Sequence, residues 1–137
     1  GPLMCLLAAE IMAKEQASPS EIYQKLTEKL GAPVYQRLDA PADDRTRALL
    51  KALTPESVHL KTLGGSPVTS VLTRAPGNDA PIGGVKVSSE DGWFAVRPSG
   101  TEAICKVYTE SFKGEAQLCA LQKDAIDFLE RQLKKEG

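Results

Sequence analysis

The spacing of apolar residues changes partway along this chain, from a helical period to a period of two, and the change marks out its elements. Residues 3–16 are apolar on nearly every face. Leu3, Met4, Cys5, Leu6, Leu7, Ala8, Ala9, Ile11 and Met12 leave Glu10 and Lys14, four apart, as the main wet edge of a predicted helix. Ser18-Pro19-Ser20-Glu21 spells a capping box with proline in the first turn. It opens a second helix over 20–30, with Ile22, Tyr23, Leu26 and Leu30 on one stripe, and Gly31 and Pro33 end it. Residues 31–41 read as a linker. Pro41, Asp43 and Asp44 then open a third helix, where the acids suit the positive dipole end. Its apolar positions are Ala48, Leu49, Leu50 and Leu53, and Thr54-Pro55 stops it.

From residue 58 the pattern becomes alternating, with short apolar runs. Strands are expected over 58–63, 68–73, 84–88, 93–97 and 104–109, separated by Gly64-Gly65-Ser66-Pro67 and a Pro/Gly-rich loop at 75–83. Asp91-Gly92 between two strand-like runs signals a hairpin. Residues 114–135 return to helical spacing, with Leu118, Leu121, Ala125, Phe128, Leu129 and Leu133 facing the sheet. The predicted class is α+β, an antiparallel sheet with helices on one face.

Composition narrows the partners. Charged residues make up 26% of the chain and the formal net charge is −1. A nucleic-acid partner is therefore not expected, since counterion release needs a basic face. No apolar run is long enough to span a membrane. The three cysteines, Cys5, Cys105 and Cys119, are odd in number and form no CxxC, as expected of reduced thiols in a cytoplasmic protein. A chain of this length holds one domain plus a modest extra segment, stable without metal or disulfide. Gly1-Pro2 reads as the scar of a cleaved tag, and the abrupt apolar start suggests a piece of something longer.

The richest chemistry lies in Arg97-Pro98-Ser99-Gly100-Thr101-Glu102, between two predicted strands. Arg97 offers planar, bidentate donors matched to phosphate oxygens. Ser99 and Thr101 add hydroxyls, and Gly100 can take positive φ so that neighbouring amides form an anion nest. An ordinary turn has the same composition, because Pro, Ser and Gly also dominate turns for conformational reasons. Lys106 shares a strand face with Ile104 and Tyr108. It fits either a phosphate contact or a charged guard at a sheet edge. Trp93 and Phe94 point to opposite faces, one toward the core and one toward a contact surface. The single histidine, His59, lacks companions at metal-ligand spacing, Asp43-Asp44 suit a helix start, and Ser99 lies outside any GxSxG elbow. No catalytic residue and no metal ligand is expected in this chain.

The block GWFAVRPSGTEAICKVYTESF (92–112) resembles the last domain of the α-D-phosphohexomutases, and within them the bacterial phosphoglucomutases. LMCLLAAEI (3–11), GAPVYQRL (31–38) and APGNDAPIGGVKV (75–87) extend the resemblance across most of the chain. The resemblance implies that Arg97, Ser99, Gly100 and Thr101 hold the phosphate of a sugar phosphate. Lys106, where many relatives have arginine, would add a second charge without the bidentate fork. Ala103 stands where many relatives have proline. The resemblance also implies an antiparallel sheet flanked by two helices and preceded by two extra helices, with a helical end of a preceding domain and its linker at 3–34 and the C-terminal domain at 35–137.

The family's phosphoserine, Asp-rich metal loop and sugar-reading loop have no counterpart in this sequence. The resemblance therefore implies a substrate-binding piece that is itself inactive. Mg²⁺ and glucose 1,6-bisphosphate would be cofactors of the full-length enzyme and not of this segment. Its partners would be a sugar phosphate and the other domains, with self-association through residues 3–30 while their apolar faces lack cover. Two other readings stay open: the same domain from a phosphoglucosamine or phosphomannose mutase, and a non-catalytic interaction module.

Overall fold

Alternating segments form one six-stranded antiparallel sheet. Its strands are β1 (Val34–Pro41), β2 (Thr62–Leu63), β3 (Ser66–Arg74), β4 (Pro81–Ser89), β5 (Gly92–Pro98) and β6 (Ile104–Ser111), in the order β1-β6-β5-β4-β3-β2. The computed structural model describes residues 1–134, in two units: Gly1–Ala32, and the rest from Pro33 onward.

The first unit is a helical pair, α1 (Pro2–Glu15) and α2 (Pro19–Leu30). Gln16 ends α1 in the left-handed region at φ 49, and its side-chain Nε2 donates to the Ala13 carbonyl at 2.6 Å. The capping box forms as its residues predict. The Glu21 amide donates to Ser18 Oγ at 3.3 Å, and the Ser18 amide donates to Glu21 Oε2 at 2.7 Å. Hydrogen bonds from Ser18 hold the Glu21 carboxyl below the usual carboxylate range. No residue of either helix is buried. Ile11, Met12, Ile22, Tyr23 and Leu26 line an apolar groove of about 270 Å³ between them.

In the second unit, α3 (Asp44–Ala52) and α4 (Glu115–Lys134) cover one face of the sheet. Asp43 caps α3 by accepting from the Thr46 amide at 2.7 Å, and hydrogen bonds from the Thr46 side chain and then its amide hold the carboxyl low. The core joins Val85, Val87, Phe94, Val96, Cys105 and Val107 of the sheet to Leu50 of α3 and Leu53 just beyond its end. From α4 come Leu121, Ala125, Phe128 and Leu129. The Phe94 and Phe128 rings meet with centroids 5.7 Å apart. Packing sets Gly92, because a Cβ there would strike the Glu110 carbonyl and, at 2.7 Å, Leu121. Among the described residues no helix is long and apolar enough to cross a membrane.

Three expectations need correction. The supposed linker at 31–41 is largely a strand, since β1 pairs with β6 from Val34↔Ser111 to Pro41↔Ile104. Its outward side chains are exposed and only Val34, Leu38 and Ala40 are partly covered, which hides an edge strand from any search for apolar alternation. Pro41, its last residue, ends an edge strand, where proline is tolerated. Within 58–63 only Thr62 and Leu63 pair, following a 3-10 turn at Pro55–Ser57. Leu133 is 42% exposed and the Gln132 side chain takes the covered position beside it. Residue 135, the end of the expected last helix, lies outside the described residues.

Candidate functional site

The face of the sheet away from α3 and α4 carries the polar chemistry. Strand register gives its rows. Tyr35, Glu110, Trp93 and Ser88 lie side by side, as do Arg37, Tyr108, Ala95 and Lys86, then Asp39, Lys106 and Arg97. Arg97 and Lys106 are direct cross-strand partners. Side chains so placed start only about 4.5–5.5 Å apart. β6 lies between β1 and β5, so Lys106 guards no edge.

Beyond this pair the chain turns through residues 99–103. The Ser99 amide donates to the Ile104 carbonyl at 2.8 Å, closing the loop, and the Ala42 amide donates to the Ala103 carbonyl at 3.0 Å, tying it to the start of α3. Ser99 Oγ accepts from the Glu102 amide at 3.3 Å. That bond uses a lone pair and leaves the hydroxyl proton to donate elsewhere. Thr101 is exposed. Gly100 is exposed too, but its φ lies outside the left-handed region, so the nest expected from a positive φ there is not formed. A Cβ on Gly100 would meet nothing within 4 Å.

The two cations differ in their surroundings. Lys106 Nζ lies 4.0 Å from Glu102 Oε2, with the lysine side chain 28% exposed. Asp39 flanks Lys106 on the other side, but Arg37 holds both its oxygens, at 3.1 and 3.2 Å. Among the described residues the Arg97 guanidinium makes no hydrogen bond or ion pair. An exposed, planar, unpartnered donor beside a second cation and a loop of hydroxyls can take a tetrahedral anion.

Two features of this face escaped the sequence. Gly84 sits beside Arg97, and a Cβ on it would overlap the Val96 carbonyl and approach Arg97 Cα and Cβ to 3.0 Å. Glycine there lets β4 close on β5 at the arginine; the signal was Gly83-Gly84 inside a strand. The second is a stack across three strands. Trp93 Nε1 donates to Glu110 Oε2 at 2.6 Å, and the Lys86 ammonium lies 4.3 Å from the indole centroid.

Other candidates lie apart from the loop. His59 is exposed in the segment before β2. Cys105 is buried on the helix-facing side, and burial pushes its thiol pKa up. Among the described residues no three His, Cys, Asp or Glu side chains gather as metal ligands.

Comparison with known proteins places this architecture. The family model described as "Phosphoglucomutase/phosphomannomutase, C-terminal domain" matches residues 21–128. The chain is 53% identical over 127 residues to a phosphoglucomutase of Komagataeibacter xylinus, covering 93% of this chain and 23% of that protein. It is 30% identical over 111 residues to a phosphoglucosamine/phosphogalactosamine mutase of Sulfurisphaera tokodaii, covering 81% and 21%. The chain thus spans under a quarter of the length of these curated relatives. With its antiparallel sheet, its two covering helices and a match over most of its length, the chain belongs to the phosphoglucomutase/phosphomannomutase C-terminal domain family.

Proposed function

We propose that the chain is the substrate phosphate-binding domain of a phosphoglucomutase that interconverts glucose 1-phosphate and glucose 6-phosphate. The observation that carries this is Arg97, exposed and without a partner among the described residues, directly opposite Lys106 at the mouth of the 99–103 loop. Arg97 grips two phosphate oxygens, Lys106 supplies a point charge, Ser99 and Thr101 donate hydroxyl protons, and Gly100 leaves the approach unobstructed. The greater identity to the K. xylinus phosphoglucomutase than to the aminosugar mutase supports glucose as the sugar.

In this proposal the chain alone turns nothing over, because a phosphate clamp without a nucleophile and a metal is insufficient for phosphoryl transfer. Those parts, with Mg²⁺ and glucose 1,6-bisphosphate, belong to the rest of a longer cytoplasmic enzyme. Residues 3–34 are the helical end of its preceding domain with the linker, and 35–137 the C-terminal domain. The exposed apolar positions of α1 and α2 fit a segment made to be covered by neighbouring protein.

The test is Arg97→Ala in the full-length parent. Each hydrogen bond to a charged group contributes about 1.5–3 kcal/mol, so kcat/KM for glucose phosphate should fall roughly tenfold or more. Kinetics equal to the wild type would overturn the assignment.

A further inference from the structure

One acid stands inside this cationic site without a role in gripping an anion. Glu102 belongs to the loop itself. Its backbone N–H is tied to Ser99 Oγ, so its position follows that of the proposed phosphate ligand. Its side chain is 61% exposed, and its carboxylate lies 4.0 Å from the Lys106 ammonium. Asp39, the other acid flanking Lys106, is already taken by Arg37 through two contacts. Glu102 is therefore the carboxylate that pairs with Lys106 among the described residues. An exposed ion pair of this kind is worth only about 0–1 kcal/mol, so it opens readily.

We propose that Glu102 is the resident counter-anion of the phosphate loop. It rests on Lys106 while the site is empty, yields that ammonium to an incoming phosphate, and by its charge keeps affinity below what two cations alone would give. This inference rests on the assignment of residues 97–106 as the phosphate site. It adds an affinity-setting residue to that site and makes the grip weak and quickly reversible. A phosphate bound between Arg97 and Lys106 must sit close to the same carboxylate. For a carboxylate and a dianion about 6 Å apart in water, screened over about 8 Å at 0.15 M salt and about 30 Å at 0.01 M, the repulsion corresponds to roughly threefold in affinity at the higher salt and roughly sevenfold at the lower.

The experiment compares this chain with its Glu102→Gln and Arg97→Ala variants. Each is titrated with inorganic phosphate at fixed ionic strength, and the backbone amide shifts of residues 97–106 are followed. Glu102→Gln should bind phosphate roughly threefold more tightly at 0.15 M salt, and the gain should widen at 0.01 M. A merely structural role for Glu102 would not produce that salt dependence. An affinity equal to or weaker than wild type at 0.01 M overturns the role of Glu102. If Arg97→Ala still abolishes binding in that case, the phosphate site itself stands. If phosphate moves none of these amides in the wild type or in Glu102→Gln, the site assignment and the inference fall together.

Discussion

Placing two cations directly opposite one another should weaken the fold that presents them, and Arg97→Thr exposes that cost. Like charges at facing positions on adjacent strands destabilise by roughly 0.2–1 kcal/mol. Lys106 has partial relief from Glu102 at 4.0 Å, whereas Arg97 has no acidic partner among the described residues. Arg97 is exposed, so its removal uncovers little packed surface, and threonine brings a β-branched side chain that suits a strand. A gain of about 0.5 kcal/mol corresponds to roughly 2–4 °C in Tm for a domain of about 100 residues. Trp93 is the chain's single tryptophan and lies in β5, so its fluorescence follows unfolding of this domain. At 0.01 M salt Arg97→Thr should melt above the wild type, and the difference should close at high salt as screening removes the repulsion. Inorganic phosphate at ten times its Kd should stabilise the wild type by about 1.4 kcal/mol and leave the variant unmoved. A variant that melts below the wild type at low salt would refute the reasoning, because Arg97 would then be holding the sheet together.

Three further outcomes are expected. Leu121→Ala, at a fully buried position of α4, should cost about 2–5 kcal/mol in urea unfolding, and a loss under 1 kcal/mol would contradict the packing described. Asp91 is held below its usual range by the Ser66 hydroxyl and then by Lys113, so it contributes stability above the unfolded value of about 3.9 that is lost as pH falls through the lower folded value. Asp91→Asn should flatten that acid limb of the stability–pH curve, and an unchanged limb would deny Asp91 this part. Leu3 is 77% and Leu30 82% exposed on the helical pair. Light scattering should accordingly show self-association of the whole chain that is lost in a version starting at Pro33, and two monomers would overturn it.

Where both the pattern and the burial were strong, the sequence predicted well. β5 and β6 alternate strictly between buried and open positions along most of their length, so period two was plain. β1 shows why such reading fails at an edge. Its open side carries Tyr35, Arg37 and Asp39, its covered side offers little beyond Leu38 and Ala40, and prolines bracket it, so nothing local separates it from a linker. Its strand character comes from the ladder with β6, a partner about seventy residues away along the chain. Val58 is buried although its backbone is not in a strand, which makes an apolar run look longer as a strand than its pairing allows. At the end of α4 the 3.6-residue period turns Gln132 inward and Leu133 outward, and composition alone favoured the leucine.

The candidate site was legible as chemistry and illegible as geometry. Arg97 and Lys106 announced charge, yet their alignment depends on register, and a slip of one residue would send Lys106 to the helix-facing side. What fixes the register lies on the other face. Val96 and Val107 are paired and essentially fully buried beneath α3 and α4, as is Phe94, which stands opposite Thr109. Moving any of them outward would expose a core side chain, at about 1.5–3 kcal/mol each. That exceeds the roughly 0.2–1 kcal/mol by which the two cations repel one another. The core therefore overrules the electrostatics of the open face and places like charges on facing positions. Gly84 completes the arrangement from the third strand, since any side chain there would drive β4 off β5 at Arg97. Apolar packing on one side of the sheet thus holds Arg97 against Lys106 on the other, where Lys106 meets Glu102 and Arg97 has no acidic partner among the described residues.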